Sequence, residues 1–139
     1  MKIDSFIKAN FFLSNFYPTA VTYKGLTYQS SEAAFQAQKC KEEKDKVAFT
    51  EMTPDEAKKA GRRTDMREDW EQIKFDEMYE IVKAKFSQNE SLKTRLLATG
   101  DAFLEEGNTW GDKIWGTVNG EGENNLGKIL MRVRAELYG

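Results

Sequence analysis

Glu68-Asp-Trp-Glu-Gln-Ile-Lys-Phe-Asp-Glu-Met-Tyr-Glu-Ile-Val-Lys-Ala-Lys-Phe-Ser87 contains neither glycine nor proline. Along it Trp70, Ile73, Lys74, Glu77, Met78, Ile81, Val82, Lys85 and Phe86 recur mainly at three- and four-residue spacing. That period predicts a long helix with one apolar face that carries some charged members. Downstream, Asn89 is placed to cap a second helix running to Ala98 and stopped at Gly100, and Ala102-Phe103-Leu104 reads as a short strand. Residues 107–122 hold five glycines and two tryptophans with no period, which describes a structured loop. A last helix is expected from about Glu123 to Leu137, burying Leu126, Ile129, Leu130, Val133 and Leu137.

Working upstream, Thr53-Pro54-Asp55-Glu56 is a helix-start signature, and Gly61 is expected to end that helix. Ser30-Ser31 supplies an N-cap for a helix from Glu32 to about Lys44. Lys24-Gly25 separates Ala20-Val-Thr-Tyr23 from Leu26-Thr-Tyr28, a hairpin pattern, while Phe12-Leu-Ser-Asn-Phe-Tyr-Pro18 reads as a packed loop ended by proline. Without repeat or interdomain linker, the expectation is a single α+β domain, mainly helical, with one small sheet.

Composition narrows the chemistry. The 139 residues carry 21 Lys and Arg against 23 Asp and Glu, a net charge of -2 that argues against general nucleic-acid binding. There is no histidine, which removes Ser-His-Asp and Cys-His catalysis and histidine general-base chemistry. Carboxylates, lysine, tyrosine or water must do any chemistry. Cys40 is the one cysteine, so neither an intrachain disulfide nor a cysteine metal cluster is expected, and the acids show no calcium-loop spacing. No signal peptide or membrane-spanning run is seen, and a cytoplasmic location is expected. Gly120-Glu-Gly-Glu-Asn-Asn-Leu-Gly127 lacks the Gly-Lys-Ser/Thr of a nucleotide phosphate loop.

Several residues have both a functional and a structural reading. Glu32, Gln36 and Lys39 fall at intervals of four and three on one helical face, with Phe35 beside them, a mixture that suits a pocket-lining helix. The alternative is an acid favouring the helix dipole and a solvated lysine. Asp112 and Trp115 stand three apart in the glycine-rich loop. Trp115 either stacks on a flat base or plugs the core, and Asp112 either acts on ribose or caps a turn. Asp69-Trp70 starts the long helix, Trp70 reading equally as pocket or core. Lys58, Lys59, Arg62, Arg63 and Arg67 form a basic group suited to phosphate, and Asn15 can direct an amide at ribose or base.

Phe12-Leu-Ser-Asn-Phe-Tyr-Pro18, Ser31-Glu32, Phe35-Gln36-Ala37, Lys39, Arg67, Asp69-Trp70, Lys74, Lys85-Phe86, Thr99-Gly-Asp101, Asp112-Lys-Ile-Trp-Gly116 and Asn125-Leu-Gly-Lys-Ile-Leu-Met131 resemble, in order, the signatures of the YbiA-like (NADAR) family. The resemblance extends from about Phe12 to Leu137. It implies one compact domain and a cofactor-free N-glycosidase with a small phosphoribosyl or ADP-ribosyl substrate. That substrate is either a phosphoribosylaminouracil intermediate of riboflavin synthesis or an ADP-ribosylated guanine. A non-catalytic module binding ADP-ribose-like ligands is the further alternative, since the family commonly has Glu-His where this chain has Glu32-Ala33. Carried onto this sequence, Glu32, Lys39 and Asp112 are the catalytic candidates. Asn15, Gln36, Arg67, Trp70 and Trp115 are the substrate-binding ones. Glu32 would stabilise an oxocarbenium-like carbon or activate water, and Lys39 would capture the opened sugar as a Schiff base.

Overall fold

The computed structural model describes residues 1–138. In chain order its elements are β1 (Lys2–Ile3), β2 (Val21–Tyr23), β3 (Leu26–Tyr28), α1 (Ser31–Ala37), α2 (Glu43–Lys46), α3 (Pro54–Gly61), α4 (Trp70–Gln88), α5 (Glu90–Ala98), β4 (Phe103–Leu104) and α6 (Asn125–Tyr138). The expected class holds: α+β, mainly helical. The strands make two two-stranded sheets, β1 with β4 and β2 with β3. Among the described residues no helix is long and apolar enough to cross a membrane.

The chain divides into two compact units, one contiguous over Asn15–Gln88 and one built from Met1–Ser14 together with the segment from Asn89 onward. In the contiguous unit, β2 and β3 pair antiparallel across the Lys24-Gly25 turn, where Lys24 has φ 50 and Gly25 φ 87. The hairpin packs on α4, and α1 lies against α3, α4 and β3. Every residue of α1 is buried, so this short helix is the centre of the unit. Thr53 and Glu56 complete a reciprocal capping box at the start of α3, as the sequence predicts.

α4 starts within two residues of its expected position and buries most of the predicted face, including Trp70, Met78, Ile81, Val82 and Phe86. Two of its charged members are buried as well. Glu77 accepts from Lys24 Nζ at 2.7 Å and from the Tyr23 hydroxyl, which anchors the hairpin turn to the helix. Lys85 is fully enclosed, with its Nζ 5.8 Å from the Tyr17 ring centre and 5.1 Å from that of Phe86, and burial pushes its pKa down to about 7.

One expected boundary is corrected. The helix predicted over 32–44 ends at Ala37, because the chain tightens into three-residue hydrogen bonds and then pairs with a distant segment. Cys40 bridges Met66, Lys41 N donates to Asp65 O at 3.2 Å, and Arg67 N donates to Lys39 O at 2.9 Å. The buried Gln38 side chain fixes the exit by donating to Ala34 O and accepting from Lys46 Nζ. Tertiary pairing thus overrides a favourable helical composition.

In the other unit, β1 and β4 run parallel with Lys2 opposite Phe103 and Ile3 opposite Leu104. α6 packs on β4 and α5, burying Leu126, Leu130 and Val133. Gly127 lets the helix lie directly on the Leu104 carbonyl, which any Cβ there would strike.

Candidate active site

α1 is capped by Ser30, whose hydroxyl accepts from Ala33 N at 3.1 Å. A second brace comes from Asn15. Its backbone carbonyl accepts from Glu32 N at 3.0 Å and its side-chain Oδ1 accepts from Ser31 Oγ at 2.8 Å. The Asn15 amide nitrogen contacts Met78 Sδ at 3.4 Å. Asn15, proposed from sequence as a ligand for ribose or base, therefore spends its side chain on holding the helix start that presents Glu32.

Glu32 and Gln36 face each other one turn apart, and Gln36 Nε2 donates to Glu32 Oε2 at 2.6 Å. Both are more than nine-tenths buried. Ala33 is completely enclosed. Lys39 does not reach the pair along the helix face, since the helix has already ended. It arrives through the turn held by Arg67 N and stays within electrostatic range of Glu32. Burial lowers its pKa, Glu32 partly opposes this, and the positive charges of Arg62 and Lys74 add to the lowering. The Lys39 ammonium lies 6.0 Å from the Trp70 ring centre, and Trp70 packs against Phe35 at 5.1 Å with the rings tilted by 53°. Trp70 is 4% exposed, so it walls the lysine more than it offers an open face for stacking.

Arg67 is turned to a neighbour. Its guanidinium closes on Asp69 through both oxygens, at 2.6 and 3.0 Å, and that pairing raises the arginine pKa and lowers that of Asp69. Lys74 pairs with Glu71 at 2.7 Å. Arg62, directly after α3, is exposed and makes no ion pair or side-chain hydrogen bond among the described residues. The sequence placed Arg62 in the basic group and favoured Arg67 for phosphate; side-chain pairing, invisible in sequence, separates the two.

Asp112 and Trp115 belong to the other unit. Asp112 Oδ1 accepts from Ile114 N at 3.0 Å and Trp115 N at 2.9 Å, the turn-capping alternative raised by the sequence. The buried Asn108 side chain brackets Asp112 by accepting from its N–H and donating to its carbonyl. Asn125 Nδ2 donates to Ile114 O at 2.8 Å, so the start of α6 braces the same loop. Trp115 is half-buried. Among the described residues no group of three or more acidic or cysteine side chains is arranged to hold a metal ion.

The arrangement centred on α1 is a buried carboxylate and amide beside a lysine of lowered pKa, walled by an indole. Comparison with known proteins identifies the family, for the NADAR domain model matches residues 5–138. The chain belongs to the NADAR family. Among NADAR relatives it is 38% identical over 128 residues to "N-glycosidase YbiA" of Escherichia coli (strain K12), covering 89% of this chain and 79% of that protein. It is 42% identical over 134 residues to "Riboflavin biosynthesis protein VVA0006" of Vibrio vulnificus (strain YJ016), covering 91% of this chain and 35% of that protein. The NADAR chain thus spans about a third of the Vibrio protein's length. The NMR structure of the E. coli protein YbiA superposes with a TM-score of 0.86 at 34% identity, covering 99% of this chain and 84% of that one.

Proposed function

We propose that this NADAR chain hydrolyses the C–N bond between a phosphoribosyl group and a base, with a phosphoribosylaminouracil intermediate of riboflavin synthesis as substrate. The enzyme class is that of its relatives, named N-glycosidases. The substrate class is supported by the riboflavin-biosynthesis name carried by the Vibrio relative. The single observation carrying the chemistry is the Glu32-Gln36 pair beside Lys39, an amine whose burial favours its neutral, nucleophilic form. A cytoplasmic location and a single domain spanning both units fit the same reading.

In the proposed reaction the glycosidic nitrogen's lone pair opens the ribose ring, giving an imine at C1′ and a hydroxyl at C4′. Neutral Lys39 Nζ adds to C1′, forming a C–N bond, and the base amine leaves carrying a proton relayed by Glu32. Water then adds to the Lys39 imine and releases the sugar aldehyde and the free lysine, so no oxidant or reductant is consumed. Gln36 holds the Glu32 carboxylate for these transfers. Asn15 acts by holding the start of α1.

The test is release of free base from phosphoribosylaminouracil, followed by chromatography. Glu32→Gln is expected to lower the rate at least about a hundredfold, within the range of lost general acid-base catalysis. Borohydride added during turnover should fix a sugar on Lys39, found by peptide mass analysis, and Lys39→Arg should abolish both adduct and turnover. Activity of the parent should rise with pH through a value below that of an ordinary lysine, because the amine must be neutral to attack. Equal rates for Glu32→Gln and the parent would remove Glu32 from the mechanism. Base release from ADP-ribosylated guanosine alone would replace the substrate class.

A further inference from the structure

Gly61 is the last residue of α3, as the sequence predicts, but it is in ordinary helical conformation and Arg62 follows as a right-handed C-cap, so no left-handed turn requires glycine there. Its reason lies across the helix interface. A Cβ at position 61 would fall on Gln36 Oε1 and lie 2.8 Å from Gln36 Cδ and 3.4 Å from Gln36 Cβ. The Gln36 amide is 6% exposed, and Oε1 is buried without a hydrogen-bond donor among the described residues. The amide's hydrogen bond in this structure runs from Nε2 to Glu32. Turning it over would set Oε1 against a carboxylate, an electrostatically repulsive arrangement, so presenting the NH2 to Glu32 obliges Oε1 to face α3.

We propose that Gly61 is a positioning residue for Glu32: its missing side chain is the space in which the Gln36 amide lies so that Nε2 reaches the carboxylate. This rests on the assignment of Glu32 to the reaction and adds a residue that touches neither substrate nor reacting atoms. A buried acceptor without a donor is destabilising, so stability alone does not account for the orientation. Gly61→Ala must displace the amide, since a methyl and Oε1 cannot share the position, and Glu32 then loses the charge-assisted hydrogen bond from Gln36.

The experiment is a double-mutant cycle on the full chain with phosphoribosylaminouracil, together with NMR of the Gln36 side-chain NH2 group. In the parent those two protons should exchange slowly, and Glu32→Gln, Gly61→Ala or both together should leave them exchanging faster. Gly61→Ala is expected to lower kcat about tenfold or more with KM nearly unchanged, the scale of a hydrogen bond to a charged group. Gln36→Met keeps the length of the side chain while removing the amide, so it should lower kcat equally without altering the α1-α3 spacing. In that background Gly61→Ala should cost little further. Additive losses in the cycle, or an unprotected Gln36 NH2 group in the parent, would overturn the proposal. If Glu32→Gln is fully active while the NMR pattern is as expected, Gly61 still positions Glu32, and it is the mechanism that fails.

Discussion

Arg67 and Arg62 carry the same fork into different surroundings. Arg67 is held by Asp69 through two hydrogen bonds, and a substrate phosphate would have to displace that partner. Arg62 is exposed and adds positive potential at Lys39. Arg62→Ala is therefore expected to raise KM for the phosphorylated substrate about tenfold, and Arg67→Ala less than about threefold, in steady-state kinetics. The sequence could show both arginines but not which of them is occupied, because rotamers and partners are set by tertiary packing. The Glu32-Gln36 contact was legible, since a four-residue interval on a helix fixes neighbours geometrically. Lys39 was expected nearby for a different reason, a helix continuing two turns, whereas a bridge from Cys40 to Met66 brings it there. Asn15 and Gly61 were read in isolation, as a ligand and a stop signal, because their partners Ser31 and Gln36 lie 16 and 25 positions away.

Among the elements, those with a long period or a local cap were readable. α4, α5, α6, the β2-β3 hairpin and the α3 capping box depend on side chains within a few positions of one another. β1 escaped notice because two residues have no period, and its pairing with β4 depends on a segment about a hundred residues away. The glycine-rich loop was recognised as structured, while its fastening was not. Thr117 Oγ1 donates to Glu105 Oε2 at 2.5 Å, and Lys2 Nζ lies 3.0 Å from Glu105 Oε1, joining β1, the end of β4 and the loop. The Thr117 hydroxyl and then Lys2 lower the Glu105 pKa. Their contribution to stability is fully present above the carboxylate's unfolded value and is lost as pH falls through the lower folded value. Thr117→Val should cost about 1 kcal/mol at pH 7, and its Tm deficit relative to the parent should shrink on acidification through that window. Thermal unfolding followed by circular dichroism measures both. A deficit that grows toward acid pH would contradict the assignment.

For the whole molecule, the NADAR match spans both compact units, and the sequence showed no linker between them. They are expected to unfold together as one domain. Hydrogen exchange should give the slowest amides of α1 and α6 opening free energies that agree within about 1 kcal/mol, the behaviour of a single cooperative unit. An α6 that opens several kcal/mol more readily than α1 would show two independent folding units.

The parallel pairing of Lys2 with Phe103 and Ile3 with Leu104 also imposes an order in time. During synthesis at about 10 residues per second, β1 leaves the ribosome on the order of ten seconds before its partner strand exists. Asn15–Gln88 is contiguous, so all the residues of its internal contacts are made within that interval. β1 waits unpaired throughout that interval, its edge open to chaperones and to mispairing with other chains.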